Sequence, residues 1–154
     1  LSVQIDFGDR DIAYQPAATE TFAEDMISKP EPPLSPANDD DMVEVPLIDL
    51  AWGRSGDKGN KANVGIIARK AEYLPYIWAA LGPDVVSGRF SHFLEGDTER
   101  FLMPGPHAIN FLMHDVLGGG GVASLRNDPQ GKGYAQILLD HPISIPKSMA
   151  ESLT

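Results

Sequence analysis

The chain contains no cysteine, which excludes disulfides, thiolate nucleophiles, zinc fingers and iron–sulfur clusters together. A cysteine-free chain suits a reducing compartment, so the expected location is cytoplasmic. No apolar run approaches the roughly 18 residues of a membrane-spanning helix, and no basic stretch followed by an apolar core marks a secretory leader. Bases are few: 12 Lys and Arg stand against 22 Asp and Glu, for a formal charge of −10. Such a chain is not expected to have nucleic acid or an anionic membrane as its partner. The four histidines, at 92, 107, 114 and 141, lack HxH or HExxH spacing, so no metal is expected. No recognised cofactor motif is present.

What is present suffices for one ordinary domain. The 154 residues are 42% apolar, enough to bury a core without staples. The charge is unevenly spread. Residues 1–45 hold eleven acids and two bases, net −9, whereas the rest hold eleven acids and ten bases, net −1. Two segments of different character are joined. In the first, SVQIDFGD alternates like a strand and TETFAEDMISK (19–29) has helical spacing. PEPPLSPANDDD then reads as a proline-stiffened, self-repelling linker. Residues 1–42 are therefore expected to be an acidic arm and linker, with a folded domain at 43–154. The first residue is Leu1 rather than Met, which suits a piece of a longer chain or a trimmed product.

From Val43 the pattern becomes regular. VEVPLIDLAW (43–52) and NVGIIAR (63–69) are rich in β-formers and predict a hairpin around a long loop at 53–60. EYLPYIWAALG (72–82) places Leu74, Ile77, Trp78 and Leu81 on one helix face, with Pro75 in the first turn. A short helix is expected at 83–89 and a strand at 98–104. PHAINFLMHDVLGGGG (106–121) reads as a helix stopped by glycine, and GYAQILLD (133–140) as a final strand, continued by ISI after Pro142. The order β-β-α-β-α-β implies an α+β fold with a mixed or antiparallel sheet of about four strands and two main helices on one face. It is read as a permuted ferredoxin-like, split βαβ sandwich.

The stretch GRSGDKGNKAN between the first two strands is the main candidate site. It is not a Walker loop, which needs G-x-x-x-x-G-K-[ST] before a helix, nor the dinucleotide fingerprint G-x-G-x-x-G. Its glycines permit a backbone nest for an anion, and Arg54 and Lys58 add positive charge. Asp57 lies between those bases, and Ser55 and Asn60 carry hydrogen-bonding groups. The plainer alternative is a structural loop in which Asp57 and Asn60 cap backbone groups. His92, in RFSHF, is either a buried, satisfied histidine or a general acid or base. Gly119 and Gly120 exceed what capping a helix requires, and allow close approach by a ligand or a second chain. Arg126 follows in a turn-rich stretch with Asp128, Gln130 and Lys132.

Taken together, RSGDKGN (54–60) with NVGIIAR after it, FSHF (90–93), TERFLMPG, HAINF, LGGGG, SLRNDPQGK and AQILL resemble the AtuA-like family, named for acyclic terpene utilisation. The resemblance covers about residues 43–146 in unbroken order. Gly53 stands where such sequences often carry Ala. The resemblance implies a ferredoxin-like domain, stand-alone or at the C-terminus of a longer AtuA-type chain. It also implies a role in catabolism of acyclic terpenoids, where intermediates are CoA thioesters. The expected ligand is a small anion such as an acyl-CoA, bound by Arg54, Ser55, Gly56, Asp57, Lys58, Asn60, Gly119, Gly120 and Arg126. Asp57, Lys58 and His92 are the candidate catalytic residues. The alternative is a non-catalytic module for homo-oligomerisation or for contact with a preceding AtuA-type domain.

Overall fold

The computed structural model describes residues 3–6, 8, 11–14, 23–36 and 41–153. At the N-terminus, β1 (Val3–Asp6) and β2 (Asp11–Tyr14) form an antiparallel pair. The helix expected at 19–29 lies partly outside the described residues; within them there is a single 3-10 turn at Glu24–Met26.

The strand expected at 43–52 is two strands. β3 (Met42–Pro46) pairs antiparallel with β8 (Pro142–Pro146) in a small sheet of its own. The chain then turns through one helical turn, α1 (Leu47–Leu50), into β4 (Ala51–Lys58). Pro46 is the reason. It lacks an N–H for the ladder, and its φ of −68° presets the entry to α1.

β4 runs straight through the stretch expected to be a loop. It pairs with β5 (Lys61–Ala68) from Ala51↔Ala68 to Lys58↔Lys61, leaving only Gly59 and Asn60 as the connection. Gly59 takes the positive φ of 69° that a two-residue hairpin asks of glycine. Glycine and charge are tolerated in β4 because it is an edge strand. Gly53 is needed there for packing, since a Cβ would meet the Leu139 side chain at 3.0 Å.

A 3-10 turn (Ala71–Tyr73) leads into α2 (Leu74–Ala80), and α3 (Pro83–Arg89) follows, both as the spacing predicts. β6 (Thr98–Met103) also matches expectation. The next two elements exchange types. Residues expected to be a helix at 106–121 form β7 (Ala108–Met113), with Ile109, Phe111 and Met113 buried at alternate positions. The strand expected at 133–140 is α4 (Tyr134–Leu139), which buries Tyr134, Ala135, Leu138 and Leu139. The ISI segment does belong to a strand, β8. A last helical turn, α5 (Lys147–Ala150), closes the described chain.

The main sheet is antiparallel, in the order β4-β5-β7-β6. α4 packs on β4 and β5, while α3 packs on β6 and on α4. Its elements thus run β-β-α-β-β-α, not β-β-α-β-α-β, which is the split βαβ arrangement entered one strand late. The core lies between sheet and helices, around Ile66, Phe90, Phe111, Leu117 and Leu138, all at most 1% exposed. Among the described residues the opposite face of the sheet carries no helix.

Candidate functional site

Because successive strand residues face opposite sides, β4 divides its polar groups. Ser55 and Asp57 face the helices; Arg54, Gly56 and Lys58 face the open side of the sheet. The Ser55 hydroxyl donates to the Lys132 carbonyl at 3.1 Å and accepts the Ala135 amide at 3.0 Å. These bonds fasten the loop before α4 to the rim of β4. Asp128 supports the same loop, its carboxylate accepting the amides of Lys132 and Gly133 at 2.9 and 2.7 Å. Lys132 can then reach over the edge, and its Nζ lies 3.1 Å from where a Cβ on Gly56 would stand.

The result is a cleft of about 340 Å³ lined by Arg54, Gly56, Lys58, Asn63, Gly65 and Lys132, with Ser55 in its wall. Among the described residues no carboxylate lies within ion-pair distance of the three cations. Lys58 Nζ donates to the Asp57 carbonyl at 2.9 Å. Like charges repel by about 1 kcal/mol at 4 Å in bulk water and about 4 kcal/mol at an effective dielectric of 20. A bound anion would relieve that repulsion. The glycines of the cleft are not required by backbone conformation, for neither Gly56 nor Gly65 has positive φ. A Cβ on Gly65 would make only an ordinary contact, 3.7 Å to the Arg54 carbonyl. A strand-interior glycine with room for a side chain keeps the space above it open.

The other expected site residues lie apart from this cleft. Asp57 does not sit between Arg54 and Lys58; its Oδ2 is 3.5 Å from the Cβ position of Gly121, on the helix side. Asn60 is engaged at both ends of its amide, donating to Asp115 Oδ1 at 2.9 Å and accepting the Gly119 amide at 2.8 Å. Gly118, Gly119 and Gly120, with φ of 63°, 99° and 97°, form a loop and not a helix stop. That loop presses on the hairpin turn, since a Cβ on Gly120 would stand 3.1 Å from the Gly59 carbonyl. The turn and the glycine run therefore share one end of the sheet.

Arg126 lines a separate cleft. It donates to the Val116 and Phe93 carbonyls and its guanidinium lies 5.3 Å from the centre of the Phe93 ring. Tyr134 joins this cluster by donating to the Val116 carbonyl at 3.1 Å. Burial raises the Tyr134 pKa above 10, against the opposing effect of Arg126. His92 is exposed, not buried, with its ring edge-on to Phe93 at 4.1 Å. Neither Arg126 nor His92 lines the cationic cleft. A larger cleft of about 600 Å³ lies between residues 27–30 and β6. Its Arg100 is already committed, 3.6 Å from the centre of the Trp78 ring and hydrogen-bonded to the Trp78 and Leu81 carbonyls.

Sequence reading missed Asn63 and Gly65, and treated Lys132 as part of a turn. One signal for Gly65 was available: it interrupts the β-forming run NVGIIA, where a bend or a ligand is the usual cause. Among the described residues no helix is long and apolar enough to cross a membrane, and no three His, Asp or Glu side chains gather as a metal set.

Neither the search of curated proteins nor that of solved structures found a match. The family model for the AtuA ferredoxin-like domain matches residues 45–144, a span that runs from the end of β3 into β8 and contains the whole cleft. With that match over most of its length, the chain belongs to the AtuA ferredoxin-like domain family.

Proposed function

We propose that this domain binds a small anion, a carboxylate or an acyl-CoA, in the cleft between Arg54, Lys58 and Lys132, as part of an AtuA-type protein of acyclic terpenoid catabolism in the cytoplasm. The observation that carries the reading is the convergence of three cations, with no carboxylate among the described residues to pair them, above two strand glycines that the backbone does not need. In a chain of net charge −10, such a cluster is a local exception. Family membership supports the substrate class through the CoA thioesters that the resemblance implies. In this reading residues 43–154 form the binding unit and the acidic arm before them is the link to a preceding domain. Ser55 positions Lys132, while Asp57, Asn60, Gly119 and Gly120 shape the end of the sheet.

Calorimetry with butyrate, acetyl-CoA and butyryl-CoA tests it. Arg54→Ala or Lys132→Ala is expected to weaken binding about tenfold, the scale of one charge-assisted hydrogen bond. Lys61→Ala, at the exposed hairpin end, should change little. Equal binding by wild type and both cleft variants would remove the cleft from contention.

A second reading is favoured by one observation. The open face of the sheet leaves Trp52, Ile67, Phe101 and Met103 between 42% and 53% exposed. Such a patch suits self-association or contact with the preceding domain. Sedimentation velocity of the full chain would decide against self-association if it remained monomeric at high concentration.

A further inference from the structure

The floor of the cleft continues into a pair of asparagines. Asn63 of β5 and Asn110 of β7 both face the open side, and Asn63 Nδ2 donates to Asn110 Oδ1 at 3.1 Å. Asparagine is depleted in strands, and two joined diagonally across the central strands are not there for packing. A side-chain amide has two donor hydrogens and one acceptor oxygen. One bond between the pair leaves the Asn63 oxygen and the Asn110 amino group free, and flipping both amides leaves the same inventory. Among the described residues neither makes another hydrogen bond.

Register puts this pair beside the cations. Arg54 lies opposite Gly65, and Gly65 opposite Asn110. Arg54 and Asn110 are therefore two strands apart, roughly 10 Å between backbones, with only a glycine between them. A ligand lying over Gly65 would meet the guanidinium at one end, and a free acceptor oxygen beside unused amide hydrogens at the other. An amide presents the complement, one N–H and one C=O.

We propose that Asn63 and Asn110 are specificity-determining residues that select an anion bearing an amide group a few bonds from its charge. This rests on the reading of the cleft as an anion site. A peptide carboxy-terminus and the amide-containing arm of a thioester carrier share this chemistry.

Three carboxylates of similar length separate the contributions in an NMR titration of the full chain. Pentanoate has no amide, 4-oxopentanoate has the carbonyl alone, and N-acetylglycine has both groups. N-acetylglycine is expected to bind about tenfold more tightly than pentanoate, with 4-oxopentanoate between them. Asn110→Ala should flatten the series without abolishing binding, and Arg54→Ala should weaken all three. Acetyl-CoA and a short peptide with a free carboxy-terminus then distinguish the two sources. Equal affinities across the series, still dependent on Arg54, would overturn the selection of amides and leave the anion site standing. No binding by any probe would overturn both. The series is read on wild type, so a poorly folded variant does not decide it.

Discussion

Ser55 and Lys132 hold each other across 77 residues of sequence: the serine hydroxyl on β4 donates to the lysine carbonyl at 3.1 Å. The same oxygen accepts the Ala135 amide at the start of α4. One side chain thus fixes a strand, a loop and a helix, and fixes where Lys132 emerges over the cleft. Ser55 is 8% exposed, so its removal leaves a carbonyl and an amide with little access to water. Ser55→Ala is expected to cost about 1–3 kcal/mol, read as a lower urea midpoint at unchanged slope. Lys132→Ala leaves both backbone bonds intact and should unfold like wild type. If the two variants were equally stable, the serine would not be the fastener described here.

Gly120→Ala should be among the more damaging single-methyl changes. Its φ of 97° is unfavourable for any side chain, and the added Cβ would stand 3.1 Å from the Gly59 carbonyl. Backbone strain of this kind costs on the order of 1–3 kcal/mol. The effect should appear in thermal unfolding. It should also appear as faster amide exchange at Gly119 and Val116, whose amides are held by Asn60. A thermal midpoint within 1 °C of wild type would contradict the packing of the glycine run on the hairpin.

How far the fold was legible depends on which period each segment carried. EYLPYIWAALG has an unambiguous helical face with proline in its first turn, and it is a helix. HAINFLMHDV matches helical spacing through Ile109, Leu112, Met113 and Val116 but also alternates through Ile109, Phe111 and Met113. Pairing with β5 and β6 on both sides decided the contest, and such long-range pairing has no local signature. AQILL is apolar enough for either type in a window of six residues. The sequence marks RSGDKGN by its glycines and mixed charges but not by its geometry, and a loop reading pools residues that a strand sends to opposite faces. Arg54 and Lys58 are thereby kept with Asp57, and Asn63 and Gly65, which only the pairing of β5 with β4 sets opposite Gly56 and Arg54, go unnoticed.

His141 gives the domain a pH dependence of definite sign. It immediately precedes β8, and its carbonyl accepts the Leu47 amide at 2.9 Å. Burial lowers its pKa below 6.5, Arg89 lowers it further, and Glu44 opposes them. Well above 6.5 the imidazole is neutral in folded and unfolded chains alike and contributes no difference. As pH falls below that value the unfolded chain takes up the proton first, so stability declines until the folded histidine is also charged. His141→Gln should remove this share of the decline. Urea midpoints at pH 7 and pH 5 are expected to fall less in the variant; a larger fall would reverse the sign and refute the assignment.

Gly65 offers a test in which stability and function move in opposite directions. Its φ is not positive, and a Cβ there would meet nothing closer than the Arg54 carbonyl at 3.7 Å. Gly65→Ala at such a position should reduce the entropy of the unfolded chain and stabilise the fold by about 0.4–1 kcal/mol, a rise of about 1–4 °C in Tm. The methyl would project into the space between Arg54 and Asn110 where the anion is proposed to lie. Binding of N-acetylglycine or butyrate should therefore weaken while the protein becomes more stable. A variant both more stable and unimpaired in binding would show that this strand position has no need of glycine for the ligand. A destabilised variant would show instead that the local backbone requires it. Only a stabilised protein with weakened binding is explained by a glycine retained to keep the cleft open.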